Sequence, residues 1–347
     1  MATSSVLWQN DRKTVILLDL VRSIEEAQIP SSELAANNGR PPATLRRLVS
    51  ALPPASPFPT PEPKRGSSEP PTTSPSAQIA DLMTQAAVES ALEEIRASHE
   101  GLWCLPRVTS PFRSPSLSPT PQLPPAPRHH PNPNQHSLLH PRREPFDLIL
   151  LDPPWPNRSA KRKRAGAGAY RPAPDLSSVR ALLRQVPVAS RLSPGGLVAV
   201  WVTNAARFAD LLLGTGGGGG GRGLFSEWDV EPVGEWTWLK ITAGGEPVVP
   251  VGSAWRKPWE RLLIARKRTA AGEGGSRTGP VEGKVIAAVP DVHSRKPNLR
   301  GLFEELLPER YEALEVFARN LTAGWWAWGD EVLLFQRREC WVEGKWG

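Results

Sequence analysis

Asp152-Pro153-Pro154-Trp155 follows directly on the apolar run "FDLILL", residues 146–151. A carboxylate, two backbone-fixing rings and an indole thus stand at the end of a strand-like segment. Proline holds φ near about −65° and brings no N–H. The Asp152 carboxylate and the Pro153 carbonyl can therefore form two hydrogen-bond acceptors at a set angle. Such a pair suits an exocyclic amine such as N6 of adenine. The lone pair of that nitrogen is delocalised into the ring. Accepting both of its hydrogens favours a pyramidal nitrogen whose lone pair is free to attack a methyl donor. Trp155 offers a face for a stacked base, worth about 1–3 kcal/mol. The same four residues also suit a plain turn with Trp155 in the core.

A dense positive block follows. "KRKR", Lys161 to Arg164, can contact phosphate, act as a nuclear-targeting patch, or remain a solvated loop. The whole chain carries a formal net charge of +7 over 347 residues, which points to a polyanion partner, nucleic acid above all. Its two cysteines, Cys104 and Cys340, exclude a disulfide framework and a Cys-rich zinc site. His293 has no second histidine at ligand spacing, so no metal is expected. No apolar run reaches the ~18–20 residues of a membrane span. "MATSSVLWQNDRKTVILLDL" does not read as a signal peptide. A soluble intracellular protein is expected.

The elements that would position Asp152 come from the apolar pattern. "FDLILL" and "GGLVAVWVT" are continuous apolar runs of the kind buried in parallel sheets. "PDLSSVRALLRQVPVAS" and "NAARFADLLL" read as helices between them. "GEWTWLKIT", "ERLLIARK", "GKVIAAVP", "ALEVFARN" and "DEVLLFQ" read as further strands, with a helix at "NLRGLFEELL". Strands alternating with helices indicate an α/β doubly wound fold, whose ligands sit beyond the carboxyl ends of the strands. Asp152, Thr203-Asn204 and Arg319-Asn320 each follow such a run, which predicts one shared site.

The remaining text divides the chain. Residues 1–105 are expected to form an N-terminal accessory region, with the short run "TVILLDL", one or two helical pieces at "SELAANNGRPPATLRRLVSAL", and a helix over 77–100. In that helix Ile79, Leu82, Met83, Ala86 and Ala87, then Leu92 and Ile95, recur at helical spacing. Residues 53–76 and 106–144 are rich in Pro and Ser and read as disordered insertion and linker. Residues 145–347 are the expected catalytic domain.

Together the motifs resemble a known family. "DPPW" after an apolar strand is the signature of adenine-N6 methyltransferases that include the mRNA methyltransferase catalytic subunit. "ILLDPPWPNRSAKR", "LVAVWVTN", "EWTWLKIT", "KPWE", "HSRKP", "EVFARNLTAGWWAWGDEVLLFQ" and "SVLWQND" look most like its methyltransferase-like-four branch. The resemblance covers residues 145–337 and, more loosely, the first thirty.

The resemblance implies a Rossmann-like fold in permuted order, with S-adenosylmethionine as cofactor. It implies catalytic roles for Asp152, Pro153, Pro154 and Trp155. It places Asp152, Lys296, Pro297, Arg319, Asn320, Asp330 and Glu331 at the cofactor. It places Trp155, Lys161, Arg162, Tyr170, Lys240, Lys257, Glu260 and His293 on the substrate side. Asp330 stands where the family usually has Asn, and keeps the acceptor while losing the amide donor. The implied reaction is direct in-line methyl transfer to adenosine in RNA, with 2′-O-methyladenosine in small nuclear RNA as one target. DNA adenine methylation, and a noncatalytic nucleic-acid-binding role for the same fold, stay open as alternatives. The expected location is the nucleus with a cytoplasmic pool, and no protein partner is required.

Overall fold

The computed structural model describes residues 4–36, 46–59, 75–109, 145–156, 173–214, 222–253, 256–269 and 279–344. Lys161, Arg162 and Tyr170 lie outside the described residues, as do most of the two Pro/Ser-rich runs.

Nine strands build one sheet. They are β1 (Val6–Gln9), β2 (Val15–Leu18), β4 (Phe146–Leu151), β5 (Leu192–Val202), β6 (Val230–Lys240), β7 (Trp259–Lys267), β8 (Lys284–Ala288), β9 (Ala313–Val316) and β10 (Trp326–Trp328). Their spatial order is β1-β2-β8-β6-β7-β5-β4-β9-β10. β2, β8 and β6 run parallel, as do β5, β4, β9 and β10. β7 is antiparallel to both of its neighbours, β5 and β6. β7 therefore presents its amino end at the edge where the parallel strands present their carboxyl ends.

Both faces are covered, which explains the unbroken apolar runs. Leu148, Leu150, Leu197, Ala199 and Trp201 pack on one face with α1 (Leu20–Glu26) and α8 (Arg300–Glu304). Ile149, Leu151, Val198, Val200 and Val202 face the other way, towards α4 (Leu176–Arg184), α6 (Ala206–Leu213) and α7 (Leu224–Glu227). Over β2 and β8 that second face is covered by α3 (Pro75–Ser98), through Val88, Ala91, Leu92 and Ile95. No helix among the described residues is long and apolar enough to cross a membrane.

Several local expectations are corrected. "LRRL" was expected in a helix, but only α2 (Ser31–Ala36) is helical there. Arg46–Leu48 is the strand β3, paired antiparallel with β11 (Trp341–Glu343). "PDLSSVRALLRQVPVAS" is broken into α4 and α5 (Val188–Arg191), because Pro187 cannot donate within a helix. "DEVLLFQ" is turn rather than strand, with Leu333 61% exposed. The first turns of α3 leave Ile79, Leu82 and Met83 60–68% exposed, so the buried stripe begins only at Val88. The N-terminal region supplies β1 and β2 to the common sheet, where β2 finds a parallel partner in β8. Arg107, expected in the linker, is buried and hydrogen-bonded.

Candidate active site

The permuted order is resolved in space. β9 follows β4 by more than 160 positions, yet Leu151 pairs with Val316 and the Asp152 N–H donates to the Val316 carbonyl. Asp152 and the segment after β9 therefore leave the sheet side by side. Phe317 turns the chain there at a positive φ of 61°, and its N–H donates to the Trp328 carbonyl. A Cβ on Gly329 would sit 3.0 Å from the Phe317 Cα, so glycine permits this close approach. The approach brings Glu331 onto Arg319.

An alternating chain of charge results. Arg319 Nε is 3.1 Å from Glu331 Oε2, and Arg319 Nη1 is 2.5 Å from Asp152 Oδ2. Asp152 Oδ1 faces Lys296 Nζ at 3.2 Å. Lys296 Nζ lies 3.1 Å from Glu260 Oε2, and Glu260 Oε1 lies 2.5 Å from Lys240 Nζ. Each ion has an opposite neighbour, so six charges are held together with no net charge. Asp152 is 7% exposed. It comes from β4, Glu260 from the amino end of β7, Lys240 from the carboxyl end of β6, and Lys296 from the loop after β8. That edge of the sheet is where the sequence placed the site.

The electrostatics follow from this geometry. Burial alone would raise the Glu260 carboxyl, but Lys240 and Lys296 outweigh it and hold the group well below the usual carboxylate range. Burial works against charge on Lys296 as well. Asp152 and Glu260 more than offset it and raise the ammonium above its ordinary value. Both lysines also lie against rings, Lys296 Nζ 5.8 Å from the Trp201 centroid and Lys240 Nζ 4.7 Å from that of Trp238.

Asp152 is followed by a tight turn. The Trp155 N–H donates to the Pro153 carbonyl at 2.8 Å, an i to i+2 bond that fixes the direction of that carbonyl. Among the described residues the Pro153 oxygen accepts only this bond, which leaves it one lone pair. Trp155 itself is corrected from a stacking face to a core residue. It is 4% exposed, its indole N–H donates to the Trp201 carbonyl at 2.7 Å, and its ring lies 4.7 Å from Phe208.

Other expected residues divide. Asn320 is buried beside Arg319, while Asp330 is exposed next to Glu331. Pro297 is buried in the Lys296 loop and lies three residues ahead of α8 rather than at its first turn. His293 is exposed on that loop. Lys257, expected on the substrate side, has its Nζ paired with Asp81 of α3 at 2.8 Å and lying over Trp259. At the end of β5 the Asn204 amide donates to the Trp259 carbonyl, joining β5 to the start of β7.

Glu315 was missed. It lies opposite Leu150 in the ladder, on the face of Ala313, one step from the strand end. Burial pushes its carboxyl up to about 8; Asp152 adds to that shift and Arg319 offsets part of it. The signal was an acid inside the apolar run "ALEVF".

Comparison with known proteins agrees with this geometry. The MT-A70 family profile matches residues 146–331. A Cryphonectria parasitica protein named N6-methyladenosine RNA methyltransferase MTA1 is 49% identical over 339 residues, 98% of this chain and 94% of that protein. A Pyricularia oryzae protein of the same name is 44% identical over 98% of this chain and 97% of its own length. The Homo sapiens N(6)-adenine-specific methyltransferase METTL4 is 35% identical over 58% of this chain and 40% of its own. With a matching profile over more than half its length and a near full-length relative at 49% identity, the chain belongs to the MT-A70 family.

Proposed function

We propose that this chain transfers a methyl group from S-adenosylmethionine to N6 of adenosine in RNA. The carrying observation is Asp152, fixed at the carboxyl end of β4 by one cation on each carboxylate oxygen, with the Pro153 carbonyl set beside it. Full-length similarity to two proteins named as N6-methyladenosine RNA methyltransferases supports RNA as the substrate class.

The residues present fit the cofactor. S-adenosylmethionine, when bound, supplies a methyl group on a sulfonium centre, together with an amino-acid tail and a ribose. Arg319 and Lys296 can take the carboxylate of such a tail, and Glu331 and Asp330 can accept from ribose hydroxyls. Glu315 lies one step from the end of β9, and burial pushes its carboxyl up to about 8, so it stands near Asp152 and Arg319 as a neutral acid.

The chain's own groups then act on the amine. The Asp152 carboxylate and the second lone pair of the Pro153 oxygen would accept the two N6 hydrogens and free the nitrogen lone pair for the methyl, and the proton that N6 sheds as it gains the methyl would leave along one of these hydrogen bonds to solvent. Asp152 needs no reorganisation at that moment, because Arg319 and Lys296 already hold it. A target adenine in a duplex must leave the stack first, at a cost of a few kcal/mol, so an unpaired nucleotide is reached more readily.

The test is nucleoside mass spectrometry after incubation with S-adenosylmethionine and matched RNA and DNA oligonucleotides, with and without 2′-O-methyl adenosine. N6-methyladenosine in RNA is the expected product. Methylation of DNA alone would move the substrate class to DNA, and preference for the 2′-O-methylated strand would assign the finer target.

A further inference from the structure

Both cations on Asp152 are traced back to one buried cluster. Asp291, in the loop after β8, is fully buried at its side chain, and Arg107 and Arg295 are 2% and 1% exposed there. Asp291 Oδ1 accepts the Ala51 N–H at 2.7 Å and faces Arg107 Nη1 at 3.7 Å. Asp291 Oδ2 pairs with Arg295. Arg107 also donates to the carbonyls of Pro290 and Val289 at 2.9 and 2.8 Å, and Arg295 to that of Val49 at 3.2 Å. Three segments distant in sequence thus meet at one carboxylate.

The cluster reaches the site by two routes. Arg295 directly precedes Lys296, so fixing its side chain fixes the backbone that carries Lys296. The guanidinium of Arg295 also lies 4.3 Å over the Phe335 ring, and the Phe335 N–H donates to the Arg319 carbonyl at 2.9 Å. The loop is held in a demanding conformation, with Ser294 at a φ of +69°. Such backbone persists only where its surroundings over-determine it.

Two guanidiniums on one buried carboxylate are a poor device for stability alone. The Nε atoms of Arg107 and Arg295 make no hydrogen bond among the described residues, and apolar replacements of buried ion clusters are often as stable. We propose that Asp291, Arg295 and Arg107 form a positioning cluster that sets Lys296 and Arg319 on Asp152. Residues 46–59 and 101–109 are thereby part of the methyl-transfer apparatus. The inference deepens the function proposed above and rests on it for the role of Asp152.

The test uses the full chain and two variants, Asp291→Asn and Arg107→Lys. Acylation of Lys296 by an amine-reactive ester is followed by peptide mass spectrometry, with Lys284 as control because it sits at the opposite end of β8 and bonds the Lys13 carbonyl. Several-fold faster labelling of Lys296 is expected in both variants, with Lys284 unchanged. A fall in kcat of about tenfold or more accompanies it, in line with the cost of misplacing catalytic groups. Unchanged Lys296 labelling in either folded variant overturns the proposal, as does an equal rise at Lys284, which reports global loosening. The labelling needs no substrate, so it stands apart from failure of the methyl-transfer reading, which Asp152→Ala reports.

Discussion

Arg319 Nη1 lies 2.5 Å from Asp152 Oδ2, across 167 positions of sequence. The parallel pairing of β9 with β4 produces that meeting. A permuted chain order costs the site nothing, because the sheet restores the adjacency. Arg319 then acts as a bridge, with Nη1 on Asp152 and Nε on Glu331.

Arg319 uses two separate nitrogens for that bridge, and the point ammonium of lysine cannot reproduce their spacing or planar fork. Arg319→Lys is expected to keep the fold and lower methyl transfer by on the order of 100-fold, the scale of a misplaced catalytic group. Steady-state kinetics beside a circular dichroism spectrum checks both halves.

Glu260 is the anion shared by Lys240 and Lys296. Glu260→Gln leaves two ammonium groups facing each other across a neutral amide. The pairs are partly buried, so breaking them this way costs on the order of 1–3 kcal/mol. The loss is expected in chemical denaturation at neutral pH, together with a lower ammonium pKa at Lys296.

Glu315 gives a pH dependence with a definite sign. Its carboxyl holds its proton up to about 8 in the folded chain, against 4.5 when unfolded. Between those values the unfolded chain binds fewer protons, so stability falls as pH rises. The contribution is complete below about 4.5 and lost as pH passes about 8. Glu315→Gln is expected to flatten this part of the stability curve. Denaturation midpoints from pH 5 to 9 measure it; parallel curves for the two proteins would contradict the assignment.

Trp155 distinguishes a core role from base stacking. Trp155→Ala removes the contact with Phe208 and is expected to cost about 3–5 kcal/mol. Trp155→Phe retains much of that packing and loses the bond to the Trp201 carbonyl, about 1 kcal/mol. RNA affinity is expected to stay within twofold in the folded Phe variant. A large loss of affinity with unchanged stability would restore the stacking role.

Much of the fold was legible because β4 and β5 are buried on both faces, which writes unbroken apolar runs. Asp152 was legible because it interrupts such a run at its end. Lys296, Glu260 and Lys240 are legible only through the family resemblance, since nothing local says that a loop lysine and two strand-end residues will share charges. The short strand β3 reads as helix in sequence because its partner, β11, lies almost 300 residues away. "DEVLLFQ" has strand-like composition, but the chain folds back there to set Glu331 on Arg319. Arg107, Asp291 and Arg295 left no readable mark, because their link exists only in the packed structure.

The most direct measurement compares Asp152→Asn and Asp152→Ala with the parent chain for methyl transfer to an adenosine-containing RNA, with cofactor affinity measured by calorimetry. Both variants are expected to bind S-adenosylmethionine within about tenfold of the parent, a coupling of roughly 1.4 kcal/mol. Transfer is expected to fall by at least about 1,000-fold, the scale of losing a preorganised electrostatic group. Near-parental turnover in either variant would contradict the role of Asp152 as the acceptor that prepares N6.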